Sequence, residues 1–128
     1  MIDIILLASA FVSMPQNIDH HLCSINAVWY EARGESDMGK RAVLDVIRNR
    51  GAKSNKNACD VVSKKGQFSF YSPNNHRMLY HVNIDKLSVY YSTLSHKRVL
   101  GDNFIFFSRG YQYGAGCKKI GNHLFCQA

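Results

Sequence analysis

The sequence predicts an α+β, mainly α, single domain that closes on a small C-terminal β-hairpin. Three observations carry this. Apolar residues recur at helical spacing through the first two-thirds of the chain, Phe104-Ile105-Phe106-Phe107 has the make-up of a short strand, and Cys117 and Cys126 bracket a turn-like stretch. The 128 residues suffice for one domain with a buried core, and fifteen aromatics spread along them argue against disorder.

Residues 1–16 form a separate segment, and 17–128 the domain. Ile2 to Val12 is apolar apart from Asp3 and Ser9, and the small residues Ala8, Ser9 and Ala10 follow a Leu pair. This fits an export segment, a weak membrane anchor or the first buried helix, with export the favoured reading although the positive start of a signal is missing. Leu22, Ile25, Trp29 and Ala32 then mark a helix from about His20 to Arg33, with Asp19 as candidate cap. Ser36 caps the next helix, whose apolar face is Met38, Ala42, Val43, Val46 and Ile47 and whose C-terminal cap is Gly51. Asn57 caps a short helix carrying Ala58, Val61 and Val62. Gly66 to Asn75 reads as loop or extended chain with a turn. Leu87, Tyr90, Tyr91 and Leu94 mark a third substantial helix, followed by the aromatic strand, a glycine-rich loop (Gly110, Gly114, Gly116) and a two-strand sheet over Cys117 to Cys126.

Sixteen Lys and Arg against nine Asp and Glu give a net charge of +7. Such a charge favours polyanions, acidic wall polymer among them, or serves solubility alone. The basic residues are scattered, and no basic arm or helix suited to a DNA groove is present, so nucleic acid is disfavoured as a partner. The four cysteines form no CxxC pair, and no metal or other cofactor is expected. Cys117 and Cys126 are placed to staple the open end of the hairpin, which leaves Cys23 and Cys59 to pair by elimination; four free thiols are the alternative.

Chemistry concentrates in Ala27-Val28-Trp29-Tyr30-Glu31-Ala32-Arg33-Gly34-Glu35. Two carboxylates stand four residues apart at the end of an apolar helix. Glu31 follows Trp29 and Tyr30, and partial burial there raises a carboxyl pKa toward the range of a general acid. The competing reading is a helix-end ion-pair network of Glu31, Arg33 and Glu35.

The run from Ala27 to Arg50 resembles the opening motif of the cell-wall hydrolases named after the spore cortex-lytic enzyme SleB. It holds Tyr30-Glu31-Ala32-Arg33-Gly34-Glu35, then Gly39, Ala42-Val43 and Arg48-Asn49-Arg50. Cys59-Asp60-Val61-Val62 leading into Gly66-Gln67-Phe68-Ser69, the strand Asn103 to Phe107, and Ile120-Gly121-Asn122-His123-Leu124-Phe125 follow in family order, covering about residues 22 to 126. The resemblance implies a lysozyme-like fold and peptidoglycan glycan strands as the partner, cut between N-acetylmuramic acid and N-acetylglucosamine by a monomer. It implies Glu31 as the catalytic acid and then base of a lytic transglycosylase, in which the sugar's own 6-hydroxyl attacks C1. A hydrolytic muramidase and a non-catalytic wall-binding module are the alternatives.

Glu35, Gln67, Phe68, Ser69, Tyr111 and His123 are the candidate substrate-binding residues. Gln67 and Ser69 offer neutral donors and acceptors suited to an N-acetyl group. Phe68, Phe70 and Tyr71 have rings that stack on sugars or pack under the loop, and Tyr111 and Tyr113 sit in the glycine-rich loop. The chain lacks the separate wall-binding module that spore enzymes of this family often carry, and Phe70 to Asp85 aligns poorly. Small size, basic charge and the irregular export segment suggest a phage endolysin or a compact bacterial autolysin, acting in the periplasm or wall after export or release.

Overall fold

The computed structural model describes residues 18–64, 66–81, 83–86, 88–89 and 97–128. The export or anchor segment expected over residues 1–16 lies outside them. Helix α1 (Ile18–Ala32) is followed by α2 (Asp37–Ser54) and the short α3 (Ala58–Ser63). A 3₁₀ helix (Pro73–Leu79) comes next, and strands β1 (Phe104–Ser108), β2 (Ala115–Ile120) and β3 (His123–Gln127) end the chain. The predicted class is correct: the fold mixes helices with a small antiparallel sheet near the C-terminus.

Local chemistry explains most helix ends. The Ser36 hydroxyl accepts from Gly39 N–H at 3.2 Å, and Asn57 Oδ1 accepts from Asp60 N–H at 2.9 Å, each satisfying a first-turn donor that has no partner within the helix. α1 is described from Ile18, so the predicted cap Asp19 lies within the helix. α2 runs past Gly51 and ends at the left-handed Asn55, so Gly51 is not the cap. It is buried instead, and a Cβ there would lie 2.6 Å from the Lys56 carbonyl oxygen, so the glycine admits the chain as it folds back after the helix. Asn75 anchors the 3₁₀ turn, accepting from Ser72 N–H at 2.6 Å and donating to the Phe70 carbonyl at 2.7 Å. The third substantial helix is described only at residues 84–86 and 88–89, which are helical. Leu87, Tyr90, Tyr91 and Leu94 lie outside the described residues.

α1 packs on α2, α3 and the 3₁₀ helix, while α2 also carries β1. Ala27, Val28, Val43, Val46, Ile47, Val62 and Leu79 are buried between them, and each large aliphatic side chain so buried contributes roughly 1.5–3 kcal/mol. Met38, expected on the apolar face of α2, is instead 50% exposed, while its neighbour Gly39 in the same turn is buried against Glu35. Cys23 and Cys59 form a disulfide that ties α1 to α3.

The sheet has three strands rather than two. β3 is central, flanked by β1 and β2 and antiparallel to both. The aromatic strand therefore joins the hairpin in one sheet, and Cys117–Cys126 links β2 to β3. Three polar residues of α2 fix the approach to β1. Asp45, fully buried, accepts from Val99 N–H at 2.8 Å and Leu100 N–H at 3.1 Å. Asn49, one turn on, donates to the carbonyls of Gly101 and Phe104 at 2.9 and 2.8 Å and accepts from Arg98. Arg50 Nε donates to the Ile105 carbonyl at 2.6 Å. The Leu100 N–H and the Phe104 carbonyl so bonded are buried groups that would otherwise lack these partners.

Candidate functional site

Four parts of the chain converge on one polar pocket of about 330 Å³. The last turn of α1 supplies Tyr30 and Glu31, the loop after α3 supplies Gln67 and Ser69, the end of β1 supplies Phe107, Ser108 and Arg109, and β3 supplies His123. Tyr30 is held from two sides. Its ring stacks on Phe70 with centroids 4.6 Å apart, and its hydroxyl accepts from Lys86 Nζ at 3.4 Å. Beneath the pocket, the Arg50 guanidinium lies 5.7 Å from the centroids of both Phe68 and Phe107.

Among the described residues, Glu31 is the one carboxylate in the lining of this pocket. Burial raises its pKa, and this outweighs the opposing effects of the Ser69 backbone N–H, which bonds the carboxylate, and of the Arg109 and Arg50 charges. The group is thus biased toward its protonated form while a bond from Ser69 and two cations hold the ionised form in reach. That combination suits a group that must give up a proton and take one back. Arg33, expected as a possible partner of the carboxylates, lies with its guanidinium 5.3 Å from the Trp29 ring centroid.

Glu35 has a different setting. Both its oxygens are engaged at the tip of the β2–β3 turn, Oε1 by the Asn122 N–H and Oε2 by the Asn122 Nδ2, each at 2.9 Å. Its side chain is only 5% exposed. Gly121 makes this contact possible: its φ is +59°, and a Cβ there would lie 2.1 Å from Glu35 Oε1. The Asn122 backbone bond is the main cause of a lowered Glu35 pKa. A carboxylate depressed in this way adds stability above its unfolded pKa and loses it as pH falls through the folded one. Glu35→Gln should therefore destabilise the protein at pH 7, and the difference in melting temperature should shrink as pH falls through the lowered folded-state pKa. An equal penalty above and below that pKa would mean that the charge does not hold the turn.

The predicted binding residues are divided by the structure. Gln67, Ser69 and His123 line the pocket with Glu31. Glu35 braces the hairpin tip instead. Phe68 is 2% exposed and packs in the core against Arg50 and Phe107, so its ring is not open to a sugar. Tyr111 is 72% exposed and lies in the loop beyond Arg109, outside the pocket lining, with its N–H bonded to Ser108 Oγ at 3.0 Å. His123 is itself 1% exposed and packs edge-on against Phe107. Burial lowers its pKa, which the Glu35 charge partly offsets. Its Nδ1 stands 4.0 Å from Glu35 Oε1 without a hydrogen-bond partner.

Arg109, Ser108 and Tyr30 were not anticipated as site residues. Arg109 is one of sixteen basic residues, and the only local hint was its position where the aromatic strand gives way to Gly110. Among the described residues no group of His, Cys, Asp and Glu could hold a metal ion, and no helix is long and apolar enough to cross a membrane.

No curated protein and no solved structure matches the chain significantly. The model of the Cell Wall Hydrolase family (Hydrolase_2) matches residues 34–126, from just after Glu31 through α2, the loop carrying Gln67 and Ser69, and all three strands. The chain, whose matched segment supplies every pocket residue except Tyr30 and Glu31, therefore belongs to the cell wall hydrolase family, whose general activity is the degradation of peptidoglycan.

Proposed function

We propose that the protein cuts the bond between N-acetylmuramic acid and N-acetylglucosamine as a lytic transglycosylase, with Glu31 as general acid and then base. The observation that carries this reading is a single half-buried carboxyl of raised pKa in a polar pocket, with the nearest carboxylate in the sequence, Glu35, committed to the hairpin turn. Two-carboxylate glycosidases need a second acid about 5–9.5 Å across the bond. Here the sugar supplies the nucleophile.

Protonated Glu31 gives its proton to the glycosidic oxygen as the C1–O bond breaks. The 6-hydroxyl oxygen of the same muramic ring then bonds to C1, and its proton passes to the Glu31 carboxylate. A 1,6-anhydro ring forms, no water is consumed, and the acid is restored. Arg109 and Arg50 stabilise the carboxylate between the two transfers, and the Ser69 N–H orients it. Gln67 and the Ser69 hydroxyl are suited to the N-acetyl group. The two disulfides support action outside the cytoplasm, in the wall or periplasm, as an endolysin or autolysin.

Mass analysis of soluble products from purified peptidoglycan tests the reading. Fragments one water lighter than the hydrolysis products are expected. Reducing-end products would make the enzyme a hydrolytic muramidase, and release of no fragments would leave a wall-binding module.

A further inference from the structure

Next to the candidate pocket lies a second groove of about 680 Å³, between the C-terminal end of α2, α3 and β1. Gln67 lines both, so the two are adjacent. Lys53, Lys56 and Lys64 line the groove with exposed side chains, against one carboxylate, Asp60. Val61, Ile105 and Phe106 give it an apolar side. A neighbouring depression shares Lys53 and Ile105 and adds Arg98, but that guanidinium is already bonded to Asp102 at 3.1 Å and to Asn49. Among the described residues, the three lysines form an exposed group of positive charge in the groove that borders the pocket at Gln67.

We propose that this groove holds the acidic stem peptide of the muramic ring whose C1 is attacked, an inference that rests on the glycosidase reading above. The stem hangs from the lactyl group on O3, which belongs to the same ring as C1. A ring bound with C1 at Glu31 therefore releases its stem within a short reach of the pocket wall. The stem carries free carboxylates and small apolar side chains, which match the lysines and the Val61, Ile105 and Phe106 side respectively. Exposed charges of this kind select and steer more than they bind tightly.

Two measurements decide the proposal. In the first, a synthetic stem tripeptide with free carboxylates is titrated into the full-length protein and amide shifts are followed by NMR. Shifts should cluster at Lys53, Lys56, Lys64 and Val61, and the triple variant K53Q/K56Q/K64Q should bind about tenfold more weakly, as expected for the loss of three exposed charge contacts. Absence of shifts at the groove, or equal affinity in the variant, overturns the proposal. So does tighter binding of a glycerol-phosphate oligomer, which would make a phosphate polymer the ligand. In the second, stem-bearing glycan strands should be cut about tenfold more slowly by the variant, with peptide-free strands cut at the wild-type rate. Equal slowing on both overturns the proposal. A wild-type protein that binds the stem through these lysines but cuts neither strand removes the glycosidase reading and leaves the groove assignment standing.

Discussion

Glu31→Gln is expected to lower the rate of wall lysis by about 10²–10⁴-fold, the usual cost of losing a general acid. Gln keeps the shape and the acceptor for the Ser69 N–H but cannot donate the proton. The same substitution should raise stability near pH 7. Burial lifts the Glu31 pKa above its unfolded value, so ionising the group costs folding free energy as pH rises from the unfolded pKa through the folded one. Below about pH 4 both states are protonated and the variant should melt with the wild type. A residue that weakens the fold when charged, yet is needed for lysis, has the signature of a functional site. Lysis by wild-type protein should also decline as pH rises through this pKa. A folded Glu31→Gln protein that lyses walls at near wild-type rate would eliminate the mechanism, and one that loses both lysis and stability would make Glu31 structural.

The second large effect concerns the bond between α1 and α3. Cys23 and Cys59 are 36 residues apart, and closing a loop of that length stabilises a fold by about 3–4 kcal/mol through the entropy removed from the unfolded chain. Cys117–Cys126 closes only 9 residues and is worth about 2–3 kcal/mol on the same reasoning. Against a total stability of about 5–15 kcal/mol, the longer bond is a large share. Cys23→Ala/Cys59→Ala should melt roughly 10–15 °C below wild type, and Cys117→Ala/Cys126→Ala should fall by less. Calorimetry of both variants checks the order, which reverses if loop length is not the controlling quantity. Intact mass showing four free thiols in protein made under oxidising conditions would remove both bonds.

Features governed by neighbours in the sequence were legible before the fold was known. Ser36 and Asn57 cap their helices because a side-chain oxygen three residues from an unpaired N–H needs no distant partner. The apolar spacing of Val43, Val46 and Ile47 locates the buried face of α2 for the same reason. Gly51 shows the limit: a glycine near a helix end signals a cap, but it equally permits close approach of another stretch of chain, and only the position of the Lys56 carbonyl separates the two. The third strand was missed because the pairing of Phe107 with Phe125 is a long-range choice.

The sequence by itself determined the N-terminal caps Ser36 and Asn57, the core face of Val43, Val46 and Ile47, the fold class, and the segment that carries the pocket carboxyl Glu31. The tertiary structure alone decided the different settings of the two carboxylates. Glu31 stands in the last turn of α1 and Glu35 in the bend just after it, only four residues on. Burial in the pocket formed with the Ser69 loop and the strand end raises the Glu31 pKa, although the Ser69 N–H and the Arg109 charge themselves lower it. A turn 87 residues away places the Asn122 N–H against Glu35 and lowers its pKa. A pKa depends on which dipoles and charges lie within a few ångströms, and here those groups arrive from distant parts of the chain.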